Sequence, residues 1–340
     1  MKVIPVLSSE GRPMMPSHCA RVRQLMRSGR AKCRWIKGIF HIQMLDRSEF
    51  EIQEVVVGVD PGSKFEGFSV VMKDKDLLNV MSNAVTWVSE KVSSRRDLRR
   101  ARRFRKTPCR KPGMSNELTT VGRIPPSTRA RWNAKLRIIN IIRGLYPVSC
   151  FVVEDIKAQT RKGSRKYNRS FSPLEVGKTY FYNELEKLGR LELRQGYDTK
   201  ELRDLYGLKK TSKKAQESFN SHCVDSWVLA KSVSGGVELP DPHSMRLLRL
   251  IPLNRQRRSL HKQIPHVGGT RSKFGGSRPV PGYKNGMTIL HQGVMKYVSG
   301  GVDKKYLSLN DMESGKRVNK AISIAKITKL CYSSFRYYWV

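Results

Sequence analysis

Three carboxylates and one histidine stand where a fold can gather them. Asp60 ends the valine-rich run VVVGVD at 55–60, and Glu154 sits near the end of a second apolar run, CFVVED at 150–155. His222 and Asp225 lie three residues apart in SFNSHCVDSWVLA at 218–230, a spacing that puts both on one face of a helix. Each has an ordinary explanation alone. Asp before Pro-Gly is common turn chemistry, a glutamate can pair with an arginine, and a lone histidine is usually satisfied within its helix. Together, at two strand ends and one helix start, they suit another role. Carboxylate oxygens are the hard ligands that Mg²⁺ takes. Two such ions ~4 Å apart activate water and stabilise the leaving oxygen of a phosphodiester, and a nearby histidine can orient or deprotonate that water. This reading makes Asp60, Glu154 and Asp225 the ligands of two Mg²⁺ ions, with Mn²⁺ as a substitute, and adds His222 to the catalytic set. Asp155 competes with Glu154. Alternation along CFVVED puts the two on opposite faces and favours Glu154.

The elements that must position these residues follow from pattern. Residues 1–53 read as a small module: a strand in KVIPVL, a turn, a helix over 17–28 closed by Gly29, and an alternating strand in GIFHIQML. A larger α/β unit begins at residue 54. Strands are expected at 55–60, 67–72 and 83–92, with a polar turn at 73–76, and Ser93 or Ser94 as the cap of the next helix. A helix over 128–144 ends at Gly144. A strand follows at 150–156, then a helix over 173–188, a short strand at 191–195 and a helix over 215–232. Three meandering strands followed by β-α alternation is the order of a ribonuclease H-like fold. The chain then divides into segments 54–92, 93–127, 128–197 and 198–235. Residues 236–340 are glycine-rich and short-stranded, which predicts a small β-rich C-terminal domain.

Charge narrows the partner. Lysine and arginine number 66 against 28 acids, a formal net charge of +38 in 340 residues. That excess repels itself in a free compact fold, and a polyanion relieves it, so nucleic acid is the expected partner. The charge is spread over the chain and not confined to one amphipathic helix, which disfavours a membrane surface. No apolar run is long enough to span a bilayer. The six cysteines form no C-x-x-C pair, so no zinc knuckle is written here, and scattered thiols suit a reducing compartment. The expected location is cytoplasmic, where a bacterial nucleoid lies, or an organelle.

One stretch concentrates the charge. Between Arg95 and Lys111, ten of seventeen residues are basic, including Arg95, Arg96, Arg99, Arg100, Arg102, Arg103, Arg105 and Lys106. A helix charged on nearly every face cannot bury a stripe in a core. It suits phosphate on more than one side, in binding that is salt-dependent and largely blind to sequence. Arg129 and Arg131 extend the basic surface onto the next helix. Arg271 and Lys273 are candidates in the C-terminal region.

The ordered set of motifs resembles the transposon-encoded OMEGA family, relatives of the RNA-guided CRISPR effectors that carry a split RuvC nuclease domain. An aspartate on the first strand, a glutamate on the fourth and H-x-x-D on the last helix resemble that family's RuvC site. PMMPSHCARVRQLMRSGRAK is similar to its PLMP module, with Met-Met-Pro where Leu-Met-Pro is usual. RRDLRRARRFRK resembles its arginine-rich bridge helix, and RQRRSLHKQIPHVGGTRSKFGG at 255–276 the segment after its last RuvC piece. The IscB branch also carries an HNH nuclease, which requires histidine, and this sequence has none from 42 to 221. The chain therefore resembles the RuvC-only IsrB form. That resemblance implies a monomeric protein in a ribonucleoprotein with a structured guide RNA. It implies a double-stranded DNA target with a short adjacent motif, and a nick in one strand, the displaced non-target one. Two other functions stay open: a guide-independent endonuclease for Holliday-like branched DNA, and an RNA-binding protein whose nuclease fold is inactive.

Overall fold

The computed structural model describes residues 3–36, 39–106, 124–155, 174–236, 246–254, 260–261, 273–274, 280–302 and 305–340; of 102–106, 260–261, 273–274 and 302 it describes the backbone only. Valine-rich strands make its centre. β5 (Val56–Asp60), β6 (Phe65–Met72) and β7 (Lys75–Asn83) form an antiparallel meander. β8 (Cys150–Asp155) pairs parallel with β5, and β9 (Arg190–Gln195) parallel with β8. The resulting order β7-β6-β5-β8-β9, with three antiparallel strands and then two parallel ones, is the ribonuclease H-like sheet.

The sheet is covered on both faces, and the alternation of its strands decides what lies under which helix. Val57, Val59, Phe151 and Val153 pack beneath α3 (Pro126–Arg143) and α4 (Lys178–Glu186). Val56, Cys150 and Val152 point the other way, against α7 (Val224–Ser234). Each such fully buried side chain contributes ~1.5–3 kcal/mol relative to exposure. On the first face α3 is also pinned by charge. Lys135 Nζ donates to Glu66 Oε1 at 2.7 Å, both side chains wholly buried, and the Trp132 ring lies 4.9 Å from that ammonium. On the second face, α7 is tied to the start of β7 and to the turn before it. Trp227 Nε1 donates to Asp76 Oδ1 at 2.6 Å, and Lys231 Nζ to the Lys73 carbonyl at 2.7 Å.

Several boundaries differ from those the sequence suggests. The third strand is Lys75–Asn83, not 83–92. Only Lys73 and Asp74 turn, and α2 (Val88–Lys106) begins before Ser93 and Ser94, which lie inside it. The strand reads LLNVMS because both its faces are buried, so periodicity does not mark its edges. The helix expected over 215–232 is two pieces, α6 (Phe219–His222) and α7, broken at Cys223. The sequence reading also passed over α5 (Gly196–Leu205), whose polar DTKELRDL carries little apolar period; the Asp198 carboxylate accepts from the Gln195 amide at 2.8 Å and closes its N-terminus.

The flanking segments are β-rich. At the N-terminus, PMMPSH is no turn. It forms β2 (Pro13–His18) beside β1 (Val3–Leu7), and after α1 (Cys19–Arg27) come β3 (Ala31–Ile36) and β4 (Ile39–Met44), giving a four-stranded sheet of order β2-β1-β4-β3. After α7, β10 (Leu247–Pro252) joins the central sheet parallel to β7. The short strands β11 (Leu260–His261) and β12 (Lys273–Phe274) pair with each other. β13 (Met287–His291), β14 (Val294–Val302), β15 (Tyr306–Asp311), β16 (Arg317–Ser323) and β17 (Thr328–Tyr332) make a separate five-stranded antiparallel sheet. The last strand, β18 (Phe335–Trp339), returns to pair with β10. Residues 236–340 thus give a β-rich region whose first and last strands lengthen the ribonuclease H-like sheet to seven. No described helix is long and apolar enough to cross a membrane.

Candidate active site

Register places the first two carboxylates side by side. β5 and β8 run parallel with Val59 opposite Val153, so the next residues, Asp60 and Glu154, share a level and a face. That face is α7's. Asp155 points to the other one, where its carboxylate accepts from Lys178 Nζ at 2.9 Å, Tyr182 Oη at 3.0 Å and Gln195 Nε2 at 3.2 Å. Strand alternation alone makes this choice between neighbours.

The third carboxylate arrives with α7, which lies unusually close to the sheet. A Cβ on Gly58 would overlap the Ser226 carbonyl oxygen and meet the Ala230 amide nitrogen at 2.8 Å; one on Gly67 would overlap the His222 carbonyl. Gly58 therefore gives the α7 backbone its seat and Gly67 that of α6, and the Ser69 and Ser226 hydroxyls share a hydrogen bond of 2.8 Å between sheet and helix. Asp225, in the first turn of α7, is thereby set over the end of β5. Oxygens of Asp60, Glu154 and Asp225 all lie within 4.8 Å of one another.

The environment is partly buried, with Asp225 the most enclosed of the three carboxylates. Burial, with repulsion from Asp225, raises the Asp60 carboxyl above its ordinary range although Lys210 opposes the shift. Glu154 is pushed up to about 7, first by burial and then by Asp60 and Asp225. Two basic side chains face the group. Lys210 Nζ contacts Asp225 Oδ2 directly and lies 3.6 Å from Asp60 Oδ2, while Arg203 Nη1 of α5 donates to Asp225 Oδ1 at 2.5 Å. Burial would lower the Lys210 ammonium, but Asp60, Asp225 and Glu154 outweigh it and hold it above its usual range. Neither base was identified from sequence. Each is one of 66 basic residues, and the only local sign is the run GLKKTSKK at 207–214.

The donor set fits hard divalent cations. All its ligand atoms are carboxylate oxygens, and 4.8 Å is close to the ~4.2 Å maximum between two oxygens that share one Mg²⁺.

His222 is placed differently from expectation. The break at Cys223 takes it off the helix that carries Asp225, and the imidazole is not part of the carboxylate group. Its Nε2 faces the Lys214 carbonyl at 3.1 Å and its ring packs 4.8 Å from that of Phe65. It ties the segment carrying Lys210 and Lys214 to α6. Burial lowers its pKa to about 4, with the charges of Lys214 and Arg249 acting the same way against the carbonyl. An unfolded histidine titrates near 6.5, so between pH 4 and 6.5 the unfolded chain binds the extra proton. Stability contributed by neutral His222 is accordingly lost as pH falls through that window, up to ~3 kcal/mol. His222→Gln, able to donate to the same carbonyl, is expected to flatten the pH dependence of urea midpoints between pH 4 and 6.5; an unchanged slope would remove the imidazole from the acid response.

Among the proposed nucleic-acid contacts, those with described side chains are mostly on the surface. No described side chain of α2 is buried, and Arg95, Arg96, Arg99 and Arg100 are exposed. The helix continues through Arg102, Arg103, Arg105 and Lys106, whose side chains lie outside the described set. Arg129 is exposed with its guanidinium 5.5 Å from the Tyr180 ring centre, and Arg131 is half-buried. Arg271 lies outside the described residues; of Lys273 only the backbone, in β12, is described.

Fold and site together define a ribonuclease H-like domain with three carboxylates gathered at one edge of its sheet. The family described as RRXRR protein matches residues 4–170, just under half of the chain. That span includes Arg99–Arg103, which reads RRARR. No match is found among curated proteins. Two solved structures are similar. RuvC of T. thermophilus in complex with a Holliday junction substrate is 15% identical over 52% of this chain and 90% of that one, with a TM-score of 0.27. The yeast mitochondrial Holliday junction resolvase Ydc2 is 13% identical over 54% and 78%, with a TM-score of 0.27. Strand order and register make the fold ribonuclease H-like.

Proposed function

We propose that the chain is an RNA-guided DNA endonuclease that nicks one strand, the displaced non-target strand, through a RuvC-type site at Asp60, Glu154 and Asp225. The observation that carries the reading is the convergence of these three carboxylates from β5, β8 and α7. Bound there as two ions, Mg²⁺, or Mn²⁺ in its place, supplies Lewis acidity and an activated water for phosphodiester hydrolysis. The chain's own residues prepare the position. Asp60 and Asp225 present oxygens from a rigid strand and a seated helix, and Glu154 sheds its shifted proton as the site is loaded. His222 stays in the catalytic set of this reading, to orient or deprotonate the water, with its Nε2 on the Lys214 carbonyl.

Guidance is supported by charge and by resemblance. The exposed arginines of α2 have one acid, Asp97, within their run, which supports phosphate as their counter-charge. The resemblance to the OMEGA family and the RRXRR match across the arginine run support a structured RNA and a DNA target with an adjacent motif.

The test is to purify the chain from cells carrying its native flanking DNA and to sequence the RNA that comes with it. One dominant structured RNA is expected. Its variable end should direct nicking of a matched supercoiled plasmid in Mg²⁺. Replacing Arg99, Arg100, Arg102 and Arg103 by Gln should weaken RNA affinity and reduce the log–log salt slope by ~0.9 for each phosphate no longer neutralised. Absence of a defined RNA, with cleavage of four-way junctions, would assign the guide-independent endonuclease instead. No metal-dependent cleavage of either substrate would leave an RNA-binding protein.

A further inference from the structure

Lys210 lies against two of the three carboxylates, Asp225 and Asp60, and its position is built. It comes from the segment between α5 and α6. Gly207, at φ 62°, ends α5 and turns the chain back over the site. The segment is then fastened to α6 at four points: the Thr211 amide donates to the Asn220 carbonyl at 3.1 Å, Lys214 Nζ to the Ser221 carbonyl at 3.3 Å, Ser221 Oγ to the Lys213 carbonyl at 3.4 Å, and His222 Nε2 to the Lys214 carbonyl. These bonds aim Lys210 inward, where its ammonium touches Asp225 and faces Asp60. Asp225 is held from the other side by Arg203 and is only 5% exposed.

A cation at this place does two things. It offsets the repulsion among three carboxylates that the fold forces together. It also uses the oxygens that a divalent ion would need. A +1 and a +2 charge sharing oxygens a few ångströms apart in a partly buried site repel each other, because water screens them only in part.

We propose that Lys210 is the resident counter-ion of the site, and that a divalent metal binds Asp60 and Asp225 only by displacing its ammonium. The inference rests on the reading of these carboxylates as metal ligands. It makes loading an exchange of one cation for another. Lys210 lowers the apparent metal affinity, keeps the metal-free site folded, and yields its place as the metal arrives. Arg203 does not exchange, because it faces a different oxygen of Asp225, Oδ1, while Lys210 is on Oδ2.

The experiment measures Mn²⁺ binding to the full chain, with its copurified RNA, by electron paramagnetic resonance of free Mn²⁺. Lys210→Met is expected to bind Mn²⁺ at least ~10-fold more tightly than the unaltered protein, since its competitor is gone. Its metal-free thermal midpoint should fall, and Mn²⁺ should raise that midpoint by more than it raises the unaltered protein's. Lys210→Arg keeps the charge and should keep affinity near the original. Should Lys210→Met fail to fold without metal, Lys210→Gln provides the same comparison with a polar group of similar reach. Unchanged or weaker Mn²⁺ binding in a folded neutral variant would overturn the exchange and leave Lys210 as a spacer for the carboxylates. Asp60→Asn separates this failure from that of the metal reading: if it binds Mn²⁺ as the unaltered protein does, the ligand assignment itself fails.

Discussion

Glu154→Gln is expected to abolish cleavage while making the metal-free protein more stable. The two effects have one cause. The fold brings Glu154 to Asp60 and Asp225, and burial with their charges lifts its carboxyl to about 7. Unfolded, the same carboxyl titrates near 4.3, so the folded state retains a proton that the unfolded state has released. Stability is then lost as pH rises from the unfolded value through about 7, and at pH 8 the ionised glutamate costs on the order of 1–3 kcal/mol. Glutamine keeps the shape and removes the charge, so the thermal midpoint at pH 8 should rise. Under the proposed function, cleavage should fall by ~10³-fold or more, because an oxygen that would ligate the metal has lost its charge. Asp60→Ala should remove cleavage as fully. A residue that merely holds the fold would behave oppositely, losing stability and activity together. If Glu154→Gln lowers the midpoint at pH 8 or leaves nicking intact, the three carboxylates are a structural ion cluster and not a metal site.

The legible part of this site is the part that local pattern encodes. Asp60 and Glu154 end strands whose alternation is written in VVVGVD and CFVVED, and alternation also decides between Glu154 and Asp155. Asp225 follows from an apolar helix with one acid in its first turn. What the sequence conceals is set by contacts between distant segments. The break at Cys223 has no proline or glycine of its own to mark it, so His222 and Asp225, which lie on α6 and α7, read as one helix. Lys210 is hidden in a chain where lysine and arginine are the commonest chemistry. β10 and β18 join the central sheet across long separations, pairing with β7 and with each other, and their short apolar runs look like any others in a β-rich region. The two glycines were visible in the sequence as strand residues, but what they accommodate was not.

Gly58 is where packing and propensity disagree, and packing should win. Alanine in a strand is favoured over glycine by ~0.5–1 kcal/mol through the unfolded chain's lost freedom. Gly58 has no left-handed backbone to protect, so on propensity alone Gly58→Ala would stabilise. The added methyl, however, meets backbone: the Ser226 carbonyl and the Ala230 amide of α7. No rotamer change can move a main-chain atom, so relief requires lifting the helix from the sheet. That movement pulls on the Ser69–Ser226 bond, loosens the packing of Val224, Trp227 and Val228, and carries Asp225 away from Asp60. The expected loss is ~3 kcal/mol or more, as for overpacked cores. Ser69→Ala serves as the comparison. It deletes the same cross-sheet hydrogen bond without adding volume and should cost ~1 kcal/mol. The distinguishing result lies in activity at a temperature where both variants are folded. Gly58→Ala should lose metal binding and cleavage because its helix no longer delivers Asp225, whereas Ser69→Ala should retain both. A Gly58→Ala protein as stable and active as the original would show that α7 does not depend on this close approach, and the geometric origin assigned to the site would fail with it.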